Sequence, residues 1–541
     1  MTLLERDDAL AVLLEYAEEA RAGQGRLALI AGEAGVGKTS LLEELRSRVP
    51  ARWLWGGCDG SFTPRPLGPL FDIAGEVGGA LAEACRTGQD REQLLRLLLD
   101  ELGSPGEHGL SAVVVEDVHW ADEATLDLVR FLGRRLRALP VLLLVTYRDD
   151  GLAREHPWRV TLGELTSQRP TRRVGLPRLT REAVARLAQG SDLETDELYR
   201  LTGGNPFFVT EVVCAGTTQV PATAQEAVLA RVARLSARAR PVVEAAAVIG
   251  TRVDLALLRQ TVDADLDALD ECLASGVLVG EPQGFRFRHE IARLAVAGSL
   301  PSHRSTGLHA TVLKALEADG TADSALLAHH AEAAGDRAAV LRHAPEAARR
   351  AAGLAAHREA AAQYQRALRF ADGLPKAERA ALYDALATEV ALLDWWEEST
   401  RAREQALALW REVGDDLRAG DTLRHLSRVM WRLCRGTESE RTALEALQIL
   451  EKLPPSRELG WAYGGLAQVY QNERFEQARE LAHQAQAIAR TFDDPALLSD
   501  AMNTESAALA GMGAGGLPML QEALRIALDA GLAPQAARAS P

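Results

Sequence analysis

The sequence predicts a multidomain chain that begins as a parallel α/β sheet covered on both faces and ends as a long all-α array. Three observations predict it. Short continuous apolar runs alternate with helix-like segments over the first 150 or so residues. A glycine-rich segment joins one of those runs to an amphipathic helix. Beyond residue 301 the chain is Ala/Leu-rich and repeats with a period of about 40 residues. A chain of 541 residues exceeds what one hydrophobic core organises, so two to four packed units are expected.

The first region spans residues 1–175. Its apolar runs are Leu27 to Ile30, Trp53 to Trp55, Val113 to Val115 and Val141 to Val145, each short enough for a strand buried on both faces. Residues 176–222 read as short helices forming a lid. Residues 223–300 combine helices with a hairpin, in which Val277-Leu278-Val279 and Phe285-Arg286-Phe287 flank the turn Glu281-Pro282-Gln283-Gly284, a winged-helix-like pattern. Residues 301–541 read as helix-pair repeats. The pairs Ala367-Leu368, Ala406-Leu407, Ala446-Leu447 and Ala523-Leu524, with Ala485 to Ala487 between the last two, recur late in successive helices.

Composition narrows the classes of function. The net charge of -15 gives no field that attracts nucleic acid. The five cysteines are far apart and lack any C-x-x-C spacing, which predicts reduced thiols and a cytoplasmic protein. The N-terminus carries Glu5, Arg6, Asp7 and Asp8, unlike a signal peptide, and no stretch approaches the roughly 20 apolar residues of a membrane helix, so no membrane partner is expected.

The segment Gly32-Glu33-Ala34-Gly35-Val36-Gly37-Lys38-Thr39, followed by Ser40, carries the strongest chemistry. Glycines let backbone N–H groups turn toward phosphate oxygens where a Cβ would obstruct them. Lys38, one of only four lysines, reaches the β- and γ-phosphates, and Thr39 offers a hydroxyl to Mg²⁺. The helix that starts there points its positive dipole end at the anion. ATP or ADP with Mg²⁺ is the predicted ligand.

Such a loop needs an acidic partner at the end of a neighbouring strand, to hold the metal and orient an attacking water. Val113-Val114-Val115-Glu116-Asp117 fits, with Glu116 and Asp117 assigned jointly to metal binding and water activation. Which carboxylate does which stays open at this point. Arg148, just after Val141 to Val145, is placed to sense the γ-phosphate at the sheet edge where ligands of such sheets gather, or is a solvated surface charge.

With these residues in view, the chain resembles the signal-transducing STAND class of P-loop ATPases, specifically the large LuxR-type and MalT-like bacterial transcription regulators. The marks are Leu4-Glu5-Arg6-Asp7, the P-loop, Glu116-Asp117-Val118-His119-Trp120-Ala121-Asp122, Gly203-Gly204-Asn205-Pro206-Phe207-Phe208, Phe287-Arg288-His289-Glu290 and the tetratricopeptide-like array. The resemblance implies that Arg6 lies near the adenine, that Pro206 closes over the base, and that His289 touches the β-phosphate of ADP. Plain alternatives stand beside these: a surface arginine, a helix-ending turn and a core histidine. Where these relatives often carry two aspartates after the strand, this chain has Glu116 then Asp117.

The implied function is a nucleotide switch with slow ATP hydrolysis. ADP favours a closed form, and ATP plus an inducer or protein on the repeats favours an open, self-associating form. A stand-alone ATPase and an ADP-holding scaffold without a role in transcription are the alternatives. Regulators of this type usually end in a helix-turn-helix, and the sequence reaches Pro541 within the repeats with no recognition helix evident.

Overall fold

The computed structural model describes residues 3–58, 60, 64–104, 106–150, 152–191, 193–215, 223–281 and 284–540. Pro282 and Gln283 of the expected hairpin turn lie outside the described residues. The chain forms two compact units, residues 1–363 and 364–541.

In the first unit, strands β1 (Arg26–Ala31), β2 (Arg52–Gly57), β3 (Ser111–Glu116), β4 (Val141–Tyr147) and β5 (Thr171–Gly175) form one sheet in the order β2-β3-β4-β1-β5, and every neighbouring pair is parallel. Alternation along each strand divides the core between the two faces. Leu27, Leu29, Val113, Val115, Leu143 and Val145 join one hydrophobic cluster, while Ala28, Ile30, Val114, Leu142 and Leu144 join the other. The second cluster is closed by Leu10 and Leu13 of α1 (Asp7–Arg21) and by Leu41, Leu42 and Leu45 of α2 (Lys38–Arg48). Each fully buried leucine contributes about 1.5–3 kcal/mol. Truncating Leu45 to alanine would cost about 2–5 kcal/mol and loosen the helix behind the glycine-rich loop.

This order corrects one expectation. The acidic strand β3 is not the neighbour of β1, because β4 lies between them and pairs with both. The three runs read alike in sequence because each is buried on both faces, so only the pairing separates them.

Helices Arg181–Leu187, Thr195–Thr202 and Pro206–Ala215 bury Val184, Leu198, Val209 and Val212 in a separate small core. Next come helices Ala224–Ala233, Ala239–Ile249, Leu255–Thr261 and Leu266–Ala274. They accompany an antiparallel sheet ordered β6-β8-β7, with β6 Arg252–Asp254, β7 Leu278–Glu281 and β8 Gly284–Phe287. The strand β6 is an addition to the hairpin read from sequence. Helices Ser302–Asp319, Ser324–Ala334 and Arg337–Gly353 complete the unit, and Ala351, Leu354, Ala356 and Ala360 pack into the same cluster as the sheet.

The second unit is a run of helix pairs from Lys376–Leu392 to Ala533–Ala539. Ala406, Ala446, Ala485 and Ala523 are all fully buried, so the recurring small residue marks where successive helices approach closely. No helix among the described residues is long and apolar enough to cross a membrane.

Candidate functional site

The loop from Gly32 to Gly37 crosses from β1 to α2, and its glycines are required by close neighbours or by a positive φ. Gly35 sits at φ +81°, and a Cβ there would lie 2.7 Å from the Phe207 Cβ and 2.9 Å from Asn205 Oδ1. Gly37, at φ +99°, is the N-cap of α2 and brings no side chain to cap the helix, whose first turn also carries no acid. The positive end of that helix is therefore left for an external anion.

Lys38 is 8% exposed, and its Nζ donates to Gly32 O at 2.8 Å and Glu33 O at 3.0 Å. It has no ion pair among the described residues. Burial is the main influence on its pKa and lowers it, opposed by Asp117 and reinforced by Arg148. A buried ammonium held only by backbone carbonyls is costly unless an anion compensates it.

Thr39 Oγ1 donates to Glu116 Oε1 at 2.7 Å, and Trp55 Nε1 donates to Glu116 Oε2 at 2.7 Å. A hydroxyl and a carboxylate so placed form an all-oxygen pair of the kind Mg²⁺ takes. Asp117 adopts φ +54°, fixed by its N–H donating to Thr146 Oγ1 of β4 at 2.9 Å. Burial pushes the Asp117 carboxyl up to about 6, against the pull of Lys38, and Glu116 adds to the rise. The two carboxylates therefore differ: Glu116 is tied to Thr39, while Asp117 is the acid that feels Lys38 most.

Arg148 has no ion pair among the described residues. Its guanidinium carbon lies 6.0 Å from the Trp120 ring centre, and its charge acts on Lys38, Asp117 and His289. Further along the acidic motif, Asp122 holds local structure. Asp122 is 1% exposed, caps the helix Glu123–Arg135 through Thr125 N at 2.9 Å and also receives Leu67 N. Burial holds the buried His119 down to about 3, so it is neutral at pH 7.

The segment Gly203 to Phe208 sits directly on the loop. Asn205 Nδ2 donates to Glu33 Oε1 at 2.8 Å and to Ala34 O at 2.9 Å, and Phe207 N donates to Gly35 O at 3.2 Å. Arg178 grips the other Glu33 oxygen at 2.6 Å. Pro206 opens the helix that follows, with the φ a first helical turn needs. His289 caps the helix Glu290–Ser299 through Ile291 N at 3.2 Å, and its ring stacks on Phe207. Burial, then the Arg148 and Lys38 charges, push His289 down to about 3. Arg286 of β8 pairs with Glu43 of α2 at 2.7 Å. Arg6 is 3% exposed and donates to Val36 O at 3.0 Å, Pro177 O at 2.8 Å and Glu5 O at 2.9 Å, so it braces the loop from behind.

Glu116, Asp117, Lys38 and Thr39 are thus brought to one place, with Arg148 and His289 in the same electrostatic field. Sequence reading missed Trp55, Thr146 and Arg178. None belongs to a motif, and each acts through a contact distant in sequence.

The fold joins an ATPase-type parallel sheet with a glycine-rich loop to a run of helical repeats. Residues 2–145 match the family described as the AAA ATPase domain. An uncharacterised protein of Rhizobium meliloti (strain 1021) is 28% identical over 391 residues, which cover 58% of this chain and 37% of that protein. The chain therefore spans little more than a third of the length of the curated relative it matches. Among solved structures, it is similar to a signal-transduction ATPase with numerous domains and a tetratricopeptide repeat sensor from Pyrococcus horikoshii. The identity is 14% and the TM-score 0.46, over 97% of this chain and 84% of that one. A Walker-type ATPase of Pyrococcus abyssi matches at 15% identity and TM-score 0.30, over 54% of this chain and 96% of that one.

Proposed function

We propose that the chain is an ATP/ADP switch with slow, Mg²⁺-assisted hydrolysis, in which the lid and the winged-helix-like part close over the phosphate loop. The observation that carries this reading is Lys38, a buried ammonium with no carboxylate partner among the described residues, beneath a lid that contacts the loop through Asn205 and Phe207.

In this reading the N–H groups at the start of α2, together with Lys38, hold the phosphates, Thr39 and Glu116 hold Mg²⁺, and Asp117 orients and deprotonates water. A carboxyl near 6 is better matched to proton transfer at neutral pH than an ordinary aspartate. The metal supplies charge neutralisation for the phosphates. Arg148 meets the γ-phosphate and His289 the β-phosphate. Pro206 shapes the lid beside the base, and Arg6 acts through Val36 rather than by touching the base. In the closed form a diphosphate would lie beneath the stacked Phe207 and His289, and a third phosphate would press against them. That difference in affinity for two states is what a switch requires.

The second unit offers a place for the signal. A cavity of about 270 Å³ is lined by Arg424, Arg428, Arg432, Trp461, Asp500 and Arg538. Arg424 is paired with Asp421 and Arg538 with Asp500. Arg428 and Arg432 have no ion pair among the described residues, so a small anion with an apolar body suits the cavity. Self-association of the open form and service to a LuxR-type regulator follow from the motif resemblance. DNA reading would then fall to a partner or to sequence beyond these 541 residues.

The test compares the parent with Lys38→Ala by gel filtration and limited proteolysis in ADP and in ATP with Mg²⁺. The parent should give two nucleotide-specific patterns and the variant one. Identical nucleotide responses in both proteins contradict the reading.

A further inference from the structure

His309 lies in the helix Ser302–Asp319, and His329 and His330 lie in the next helix, Ser324–Ala334, which packs against it. One ring nitrogen of each histidine falls within 4.8 Å of the other two. We infer that these three imidazoles form a binding site for Zn²⁺ or a similar divalent transition ion, separate from the nucleotide site.

Geometry carries the inference. Zinc binds imidazole nitrogen at about 2.0–2.1 Å in tetrahedral arrangement, which puts ring centres about 3.2 Å from the ion and about 5.2 Å from one another. The three observed centre separations are 5.5 Å for His309 and His329, 5.0 Å for His309 and His330, and 5.2 Å for His329 and His330. The Nδ1 atoms of His309 and His330 are 2.9 Å apart, which a hydrogen bond between two rings explains without any ion. Such a bond does not require a third ring at the same spacing from both.

The chemistry of the donors agrees. An uncharged imidazole presents a ring-nitrogen lone pair to a metal ion, and all three donors are of this type. An all-nitrogen set favours Zn²⁺, Ni²⁺ or Cu²⁺ over Mg²⁺, which prefers oxygen. His330 is buried while His309 and His329 are partly exposed, which lets water reach a fourth coordination position. An ion here would pin together the two helices that follow the winged-helix-like part.

The test uses the full chain, stripped with chelator, free of nucleotide and titrated with Co²⁺ and then Zn²⁺. The expected result is one equivalent of cobalt with the strong visible bands of low-coordinate nitrogen ligation, displaced by zinc. The melting temperature should rise with zinc. His309→Gln and His329→Gln, at partly exposed positions, should each weaken zinc binding about 100-fold, and Lys38→Ala should leave it unchanged. If one variant does not fold, the other and the parent spectrum still decide. Weak octahedral cobalt bands in the parent, or parental zinc affinity in a folded histidine variant, would overturn the inference.

Discussion

The Phe207 ring stacks on the His289 imidazole with centres 4.3 Å apart and planes 28° apart. The backbone N–H of the same Phe207 bonds to Gly35 O at 3.2 Å. One residue thus ties the phosphate loop to both the lid and the winged-helix-like part. Phe207→Ala should cost about 3–5 kcal/mol locally, from lost burial and stacking. Hydrogen exchange over residues 181–215 should quicken while β1, β3 and β4 stay protected. Unchanged exchange in the lid would refute the coupling.

Asp117 titrates near 6 when folded, above its ordinary value of 3.8. Because the folded pKa is raised, the protonated form is favoured at low pH, and that stability is lost as pH rises through about 6. Above that pH the bare carboxylate is a cost that a bound cation offsets. Stabilisation by Mg²⁺ with nucleotide should therefore be larger at pH 7.5 than at pH 5.5. Asp117→Asn should lower turnover about 10²–10⁴-fold with nucleotide affinity little changed. A thermal-shift series flat in pH would count against this role.

Glu359 is 8% exposed, its Oε2 has no partner among the described residues, and burial with Asp122 nearby pushes it up to about 8. Folded Glu359 is protonated at pH 7 while the unfolded side chain is not, so its contribution to stability falls between about pH 4.5 and 8. Glu359→Gln should stabilise the protein by on the order of 2 kcal/mol at pH 8 and leave it unchanged near pH 4.5. Denaturant melts at the two pH values measure this, and equal effects at both would be inconsistent with a buried neutral acid.

Much of the site was legible because its residues sit in local patterns. The glycine spacing of the loop, the apolar run ending in Glu116-Asp117 and the segment around Asn205 each carry their signal within about ten positions. What was not legible depends on contacts across long separations. Asn205 and Glu33 are 172 residues apart, and nothing in either segment names the other. Arg6 reads as a residue near the adenine or as a surface arginine, and nothing in its segment announces its bonds to Val36 and Pro177. The place of β4 between β1 and β3 was hidden because fully buried parallel strands share one apolar signature. His309 and the His329-His330 pair follow no ligand spacing, since two packed helices bring them together.

Calorimetry of the nucleotide-free full chain with ADP and with ATP plus Mg²⁺, set beside Lys38→Ala, tests the central claim most directly. The account predicts one nucleotide bound per chain and at least about a hundredfold weaker binding by the variant, the loss of a charge-assisted phosphate contact. No binding heat from either nucleotide with folded parent protein, or equal affinity in parent and variant, would contradict it.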